Sequence, residues 1–300
     1  MISKDESPVY HKSGKKELIG DYAIGKLLGT GTFGVVKKGR HIKTKQEVAI
    51  KIVNKARTEK SGSTVLIERE ISILKKVKHP NVIECFEVIE TESNWYMIME
   101  LVTGGELLDY IDDRAWVSEK EASKFFTQII AGVKYLHNTG IYHRDLKLEN
   151  IMLDKQLNVK IVDFGLSAFD EGKALKRQCG SIHYIAPEVL TGPYNGAKAD
   201  IWSCGIIFYA MVTGEMPFTD ESEETNAIFD KILHQELSLP EHLSESCKSL
   251  LKRILCRDPA ERISLAELES HSFLRIQRFY KASTEWRQQS KGICTDDIQI

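Results

Sequence analysis

The sequence places several polar and charged side chains in one short segment, residues 143–150, which reads His-Arg-Asp-Leu-Lys-Leu-Glu-Asn. Transfer of a phosphoryl group needs a carboxylate to orient the attacking hydroxyl, oxygen ligands for Mg²⁺ and a cation to offset the moving charge. Asp145 would supply the carboxylate and Lys147 the cation. Asn150, with Asp163 of a following Asp-Phe-Gly, would bind the metal. A chance polar loop explains one of these residues, but not all four at this spacing.

A glycine-rich segment, residues 29–34 (GTGTFG), has a spacing typical of phosphate-binding loops. Alone the pattern is weak, because dinucleotide-binding folds and ordinary tight hairpins share it. A dinucleotide fingerprint runs from a strand into a helix, whereas these glycines lead into a second strand-like run at Val35. The pattern therefore predicts a hairpin whose backbone N–H groups approach phosphates. The phosphate-covering residues would be Gly29, Gly31 and Gly34, with Val36 against the adenine.

Lys51 stands in an apolar strand-like run, residues 47–53. Such a lysine usually faces solvent, but both faces of this strand are otherwise apolar, so an inward lysine would need an anionic partner. Glu70 is the candidate, because its neighbours three and four residues away on a helix are all apolar. Glu68 is the weaker choice, since Thr64 and Ser72 are among its neighbours.

The elements that must position these residues change in character along the chain. Up to residue 101 the pattern indicates short strands and one helix, and beyond Gly104 it becomes helical. Ser118 and Glu121 have the spacing of a capping box at the start of a long amphipathic helix that Gly140 closes. The expected strands are 22–28, 35–40, 47–53, 82–89 and 95–101, and the other expected helices are 64–77, 198–213, 224–234, 244–255 and 264–270. This order predicts two lobes of different class with a seam near 102–105.

Composition narrows the class of protein. The chain has 300 residues, 42% hydrophobic and 28% charged, with a net charge of −2, so we expect no general attraction to nucleic acid or anionic membranes. Its six cysteines are scattered without a Cys-x-x-Cys pair, which favours reduced thiols over a disulfide or zinc framework. The amino terminus shows no apolar signal core, and no apolar run is long enough to span a bilayer. We expect a cytoplasmic protein, with access to the nucleus left open.

Taken together, these motifs resemble those of the eukaryotic protein serine/threonine kinases, in the same order along the chain. Further matches are Ala186-Pro187-Glu188, the Asp-Ile-Trp-Ser-Cys-Gly that starts at Asp200, and Arg262. The resemblance covers residues 22–274 and implies an α+β, bilobal protein-kinase fold. In that fold a small antiparallel-sheet N-lobe with one helix (22–101) precedes a larger, mainly helical C-lobe (102–274). It also implies an N-terminal extension (1–21), a C-terminal tail (275–300), a Glu188–Arg262 pair, and Asp200 bracing the catalytic loop.

The resemblance also implies ATP and Mg²⁺ as cofactors and assigns the binding residues. Lys147 and the segment from Cys179 to Glu188 are of the serine/threonine type, in which the Ser181 hydroxyl contacts Asp145 and Lys147. Residues 99–107 resemble the hinge of the calcium/calmodulin-dependent and AMP-activated (sucrose-non-fermenting-related) kinases. The remaining implied ATP contacts are Leu28, Ala49, Lys51, the gatekeeper Met99, Glu100, Val102, Glu106 and Met152.

Two acidic residues bear on the protein substrate. Glu106 and Glu149 match positions that bind arginine in kinases with basic substrates, because carboxylates beside a cleft favour a cation upstream of the phosphorylated residue. The alternative is that both are merely solvated and that Glu106 binds only ribose.

The chain departs from the family in its activation loop. The usual threonine position carries Arg177, and no threonine lies between Asp163 and Glu188. Phosphothreonine normally neutralises the arginine beside the catalytic aspartate, here Arg144. We therefore expect that the kinase is not switched on at position 177. Three alternatives stay open: the loop is ordered without phosphate, or through Ser167, Ser181 or Tyr184 instead, or by a partner.

The tail beyond the resemblance mixes basic and aromatic residues. It is a candidate site for calmodulin or another regulator, although a helix end packed on the large lobe gives the same pattern. The alternatives to an active protein kinase are a pseudokinase scaffold and a small-molecule kinase. The first usually lacks Lys51, Asp145 or Asp163, and the second generally lacks the Ala-Pro-Glu segment, whereas this chain has all of them.

Overall fold

The structure is a computed structural model that describes residues 17–31 and 33–275. These residues form two compact units. The first comprises the described residues up to Gly62 together with Cys85–Leu101. The second comprises Ser63–Glu84 and the described residues from Val102 onward. The helix expected at 64–77 therefore groups with the helical unit and not with the sheet.

The first unit is an antiparallel sheet of six strands within the described residues, in the order β1-β2-β3-β4-β6-β5. Its strands are β1 Leu18–Ile19, β2 Tyr22–Thr30, β3 Gly34–His41, β4 Glu47–Asn54, β5 Cys85–Glu90 and β6 Asn94–Glu100. A short helix, α1 Lys55–Lys60, follows β4 and is capped by the Asn54 side chain, which accepts from the Arg57 amide. Alternate side chains point to opposite faces of a strand, and one face buries a core of Tyr22, Ile24, Val48, Ile50 and Ile98.

The second unit is mainly helical. Its helices are α2 Thr64–Leu74, α3 Leu107–Asp112, α4 Glu119–Asn138, α5 Pro187–Thr191, α6 Gly196–Thr213, α7 Thr225–His234, α8 Glu245–Ile254 and α9 Leu265–Ser270. Two small antiparallel ribbons pair β7 Ile141–Tyr142 with β10 Ala168–Phe169, and β8 Ile151–Leu153 with β9 Val159–Ile161. Helix α6 is apolar on all sides and buried along nearly its whole length, so it forms the centre of this core. At Gly205 an added Cβ would lie 2.4 Å from Ile254 Cγ2, so glycine allows α6 to approach α8 closely.

The fold class and its order along the chain are confirmed, but several element boundaries differ from the expectation. Helices α1, α3 and α5 are too short to show an apolar stripe, and the pattern missed them. Strand β5 begins at Cys85 and not at residue 82, and Val82 instead makes an isolated bridge to Ile161. Leu18–Ile19, which composition placed in a polar extension, pairs with β2 as strand β1.

The capping box expected at Ser118 is only half formed. The Ser118 side chain accepts from the Glu121 amide at 3.3 Å, but the Glu121 carboxylate accepts from the Tyr110 hydroxyl at 2.5 Å. A reciprocal capping box is present at Ser264 and Glu267, which starts α9. In the described part of the chain, none of the helices combines the length and the apolar character that crossing a membrane would require.

Candidate active site

Asp145 lies at the centre of a hydrogen-bond network on the loop between β7 and β8. Its Oδ1 accepts from Ser181 Oγ at 2.9 Å, and the same hydroxyl accepts from Lys147 Nζ at 3.0 Å. Lys147 Nζ also lies 3.5 Å from Asp145 Oδ2. The contact expected for Ser181 is therefore present, and the network fixes the carboxylate and the ammonium group side by side.

The loop that carries Asp145 is held from below by a buried carboxylate. Asp200 of α6 is 1% exposed, and it accepts from the backbone amides of His143 at 2.9 Å and Arg144 at 2.7 Å. His137 Nε2 lies 2.8 Å from Asp200 Oδ2, the oxygen that also accepts from the His143 amide. A charge buried this deeply is tolerated because hydrogen bonds satisfy it. Arg144 adopts a left-handed φ of 68°, a strained conformation that these bonds stabilise.

Asn150 and Asp163, the expected metal ligands, offer the oxygen chemistry that Mg²⁺ prefers. Asn150 Nδ2 donates to the Asp145 carbonyl oxygen at 2.8 Å, so the amide oxygen of Asn150 is the atom that could bind a metal. Asp163 also has a left-handed φ, at 63°, and its Oδ1 accepts from the Gly165 amide at 3.2 Å. A carbonyl and a carboxylate oxygen form a hard donor set, so these residues fit the ion.

The glycine-rich segment forms the hairpin between β2 and β3, as its context indicates, and its glycines differ in what they allow. At Gly34 an added Cβ would lie 2.0 Å from the Ile52 carbonyl oxygen, so packing requires this glycine. At Gly29 an added Cβ meets no atom within 4 Å, and at Gly31 the nearest atom is 3.9 Å away. Neither of these two has a left-handed φ. They leave open backbone that suits the close approach of a phosphate.

Strand register brings several first-unit residues that were assigned to the nucleotide to one face, whereas Glu100 pairs with Val48 on the opposite face. Val36 is paired directly with Lys51, and Ala49 with Met99, while Gly29 is opposite Val36. Paired residues in an antiparallel sheet share a face, as do residues two apart on one strand. Lys51 therefore stands on the same face as this apolar group, and Leu28, at the end of β2, is 43% exposed.

Glu70 of α2 is 2% exposed, while Glu68 is exposed, in line with the choice of Glu70 as the acid on the packed face. Within the second unit its carboxylate faces the Asp-Phe-Gly segment, since an added Cβ at Gly165 would lie 3.9 Å from Glu70 Oε2. Lys51 belongs to the first unit, so its pairing with Glu70 stays a prediction.

The segment after Glu100 pairs with β8. Gly104 donates to the Leu153 carbonyl at 2.8 Å, and Leu153 donates to the Gly105 carbonyl at 2.9 Å. An isolated bridge then joins Glu106 to Met152. Of the implied ATP contacts, Val102, Glu106 and Met152 thus lie on or beside this short ribbon.

Glu106 and Glu149 lie in an acidic cluster that includes one residue the sequence analysis missed. Burial raises the pKa of Glu106 above its usual value, and the charges of Asp109 and Glu149 raise it further, with Lys147 acting in the opposite direction. Asp109 lies three residues after Glu106, at the start of α3, and this helical spacing was the available signal. Three carboxylates that repel one another favour a cation among them.

Two further contacts of the catalytic loop were not expected from the sequence. Arg144 Nη2 lies 2.6 Å from Cys179 Sγ. The Tyr184 hydroxyl accepts from the Leu148 amide at 3.4 Å and hydrogen-bonds the Glu149 carboxylate. Neither pair has a short-range spacing, so the pattern carried no signal for it.

The expected pair of Glu188 and Arg262 is present in the interior of the second unit. Arg262 Nη1 and Nη2 donate to the two carboxylate oxygens of Glu188 at 2.6 and 2.8 Å. The Arg262 side chain is 0% exposed, and further donors bond the carbonyls of Lys198 and Cys256. This bidentate pair anchors α5 to the segment before α9.

Comparison with known proteins gives the class to which this fold and site belong. The protein kinase domain family matches residues 22–274, and the chain is a member of that family.

Individual relatives narrow the group. SNF1-related protein kinase catalytic subunit alpha KIN12 of Arabidopsis thaliana is 46% identical over 255 residues, which are 85% of this chain and 51% of that protein. CBL-interacting serine/threonine-protein kinase 8 of the same plant is 46% identical over 253 residues, 83% of this chain and 56% of that protein. Serine/threonine protein kinase OSK3 of Oryza sativa subsp. indica is 41% identical over 291 residues, 95% and 57% respectively. The chain thus spans little more than half the length of these curated relatives. The resemblance to the sucrose-non-fermenting-related group is confirmed.

Proposed function

We propose that this chain is an ATP-dependent protein serine/threonine kinase that phosphorylates serine or threonine hydroxyls of other proteins. The observation that carries the proposal is the network of Asp145, Lys147, Ser181 and Asn150. In it the Asp145 carboxylate accepts from the Ser181 hydroxyl and from Asn150 Nδ2, and Lys147 Nζ donates to the same hydroxyl. Family membership supports the reaction class but not the cellular role.

Each of the candidate site residues in the second unit has a chemical role in this proposal. Asp145 orients the substrate hydroxyl, Lys147 balances charge at the transferred group, and Ser181 fixes both. Asn150 and Asp163 would hold Mg²⁺, and Mg·ATP supplies the phosphoryl group together with the metal charge that stabilises its transfer. Because Asp145, Lys147 and Ser181 are already mutually bonded, little reorganisation is needed before reaction.

The nucleotide-side roles rest on the residues of both units. Gly29, Gly31 and Gly34 would cover the phosphates, and Lys51, with Glu70 as its partner, would contact the α and β groups. Open backbone at Gly29 and Gly31 supports the first role. The adenosine would contact Leu28, Val36, Ala49, Met99, Glu100, Val102, Glu106 and Met152.

The proposed substrate carries a basic residue upstream of the phosphorylated hydroxyl. Burial raises the pKa of Glu106, and repulsion by the charges of Asp109 and Glu149 raises it further. An arginine placed among them relieves that repulsion and gains charge-assisted hydrogen bonds. A cytoplasmic location and a protein regulator belong to the same proposal. The regulator is supported by relatives that carry CBL-interacting in their names. The tail to which it was assigned lies outside the described residues, apart from Arg275.

The test uses phosphatase-treated protein with Mg·ATP and two serine peptides that differ only in an arginine three residues upstream. Asp163→Ala is the control, and mass spectrometry verifies that the sample carries no phosphate. Transfer that favours the arginine peptide and is lost in the control supports the proposal. A wild-type sample that does not bind Mg·ATP would instead support a pseudokinase scaffold.

A further inference from the structure

Residues 175–181, termed here the loop segment, are tied to the chain just before α6. Leu175 and Tyr194 exchange two backbone hydrogen bonds, each 2.9 Å long. The Tyr194 hydroxyl then donates to the Arg177 carbonyl at 3.1 Å. Tyr194 is only 3% exposed, so its ring is a fixed support and its hydroxyl bond is shielded from water.

The other end of the loop segment contacts the catalytic loop. Cys179 Sγ lies against Arg144 Nη2 at 2.6 Å, and Ser181 Oγ donates to Asp145 Oδ1. Gly180 has a left-handed φ of 113°, and an added Cβ there would lie 2.9 Å from the Arg144 carbonyl oxygen. The order of the loop segment therefore decides whether Ser181 reaches the carboxylate.

The hydroxyl groups near the loop segment already make hydrogen bonds within the fold. Ser167 is 1% exposed and donates to the His143 carbonyl at 3.1 Å. Tyr184 is 7% exposed and accepts from the Leu148 amide, and Ser181 bonds Asp145. Between Asp163 and Glu188 the sequence has no other hydroxyl-bearing residue. A phosphate on any of the three would break the contacts that build the site.

Of the contacts that hold the loop segment, the one between Arg144 and Cys179 is weaker than those made by Tyr194. A thiol is a weak hydrogen-bond acceptor, and within the described chain the buried Arg144 Nε finds no acceptor. Tyr194, in contrast, makes two backbone hydrogen bonds with Leu175 and one hydroxyl bond with the Arg177 carbonyl.

We propose that Tyr194 is a positioning residue that holds the loop segment, and through it Ser181 and Asp145, in the catalytic arrangement without any loop phosphate. The Arg177 side chain is exposed at the position where related kinases usually have the activation-loop threonine, while its carbonyl accepts from the Tyr194 hydroxyl. The inference rests on the proposed kinase function and deepens it by naming what takes the place of activation by phosphorylation.

The test compares Tyr194→Phe with Tyr209→Phe, both phosphatase-treated. Tyr209 is a matched control, because it is 5% exposed and its hydroxyl donates to the Ser238 carbonyl at 3.1 Å, away from the loop segment. A hydrogen bond of this kind contributes ~1 kcal/mol, so its loss corresponds to an about fivefold change in the population of the ordered loop segment. We expect kcat of Tyr194→Phe to fall about fivefold with the KM for ATP unchanged, and maleimide to label Cys179 several-fold faster. Tyr209→Phe keeps the wild-type values.

Two results would overturn the inference. One is equal kcat and equal Cys179 labelling in Tyr194→Phe and wild type. The other is exchange of the wild-type Leu175 and Tyr194 amides at the rate of unstructured peptides after phosphatase treatment, a measurement that needs no variant. A wild-type protein with protected amides but no transfer to any peptide refutes the proposed function and leaves the Tyr194 tie intact.

Discussion

Two glycines of the β2–β3 hairpin should respond in opposite ways to the same substitution. In Gly34→Ala the new Cβ would lie 2.0 Å from the Ile52 carbonyl oxygen, where contacts below 3.0 Å are essentially never seen. Main chain must shift by about 1 Å, which disturbs the pairing of Gly34 with Val53. Overpacking together with a weakened hydrogen bond costs roughly 2–4 kcal/mol of unfolding free energy.

Gly29→Ala meets no atom within 4 Å and has no left-handed φ. It should leave the folded state unstrained and raise the unfolding free energy by about 0.5 kcal/mol, because the unfolded chain loses freedom. Its methyl group would occupy the space that we assign to a phosphate, so the KM for ATP should rise roughly tenfold, or about 1.4 kcal/mol.

Urea denaturation and the KM for ATP, measured on both variants, separate these effects. We expect loss of stability in Gly34→Ala and loss of ATP affinity in Gly29→Ala. Equal loss of stability in both variants, or an unchanged KM in Gly29→Ala, would refute the assignment of open backbone at Gly29 to phosphate.

The remaining predictions concern charge. Glu188→Ala leaves the Arg262 charge buried and unpaired, so the unfolding free energy should fall by about 3–5 kcal/mol in urea denaturation. Arg253→Gln breaks the ion pair with Glu267, which is similarly short at 2.8 Å but about half exposed, and should lower stability far less. Equal losses in the two variants would contradict this expectation. The pKa of Glu106 is higher in the folded state than in the unfolded state. Between these two pKa values the folded state binds more protons, so the contribution of Glu106 to the unfolding free energy falls as pH rises through this interval. Preference for the arginine peptide needs the ionised Glu106 carboxylate, so the preference should weaken as pH falls, and it should weaken less in Glu106→Gln. An identical pH dependence in the two proteins would exclude Glu106 as the arginine-binding residue.

Local patterns located the residues that act through short-range geometry. The spacing within 143–150 placed Asp145, Lys147 and Asn150 on one loop, and helical neighbours identified Glu70 as buried. Long helices with an apolar stripe, such as α4 and α8, were visible for the same reason.

Contacts between distant segments left no comparable signal. The tie between Tyr194 and Arg177 and the contact of Arg144 with Cys179 join residues 17 and 35 positions apart. They depend on how the tertiary fold packs two loops, which no period of 2 or 3.6 residues encodes. Short helices such as α5 escape detection because five residues are too few to reveal a stripe.

The role of Asp145 in phosphoryl transfer is tested by comparing Asp145→Asn with wild type at saturating Mg·ATP. The amide keeps the size of the carboxylate and can still accept from Ser181, but it cannot orient the substrate hydroxyl as a base. We expect unchanged Mg·ATP binding and transfer to a serine peptide that is at least about 100-fold slower. Equal transfer rates in the two proteins would contradict this role of Asp145, and so would a wild type that binds Mg·ATP but phosphorylates no serine or threonine peptide.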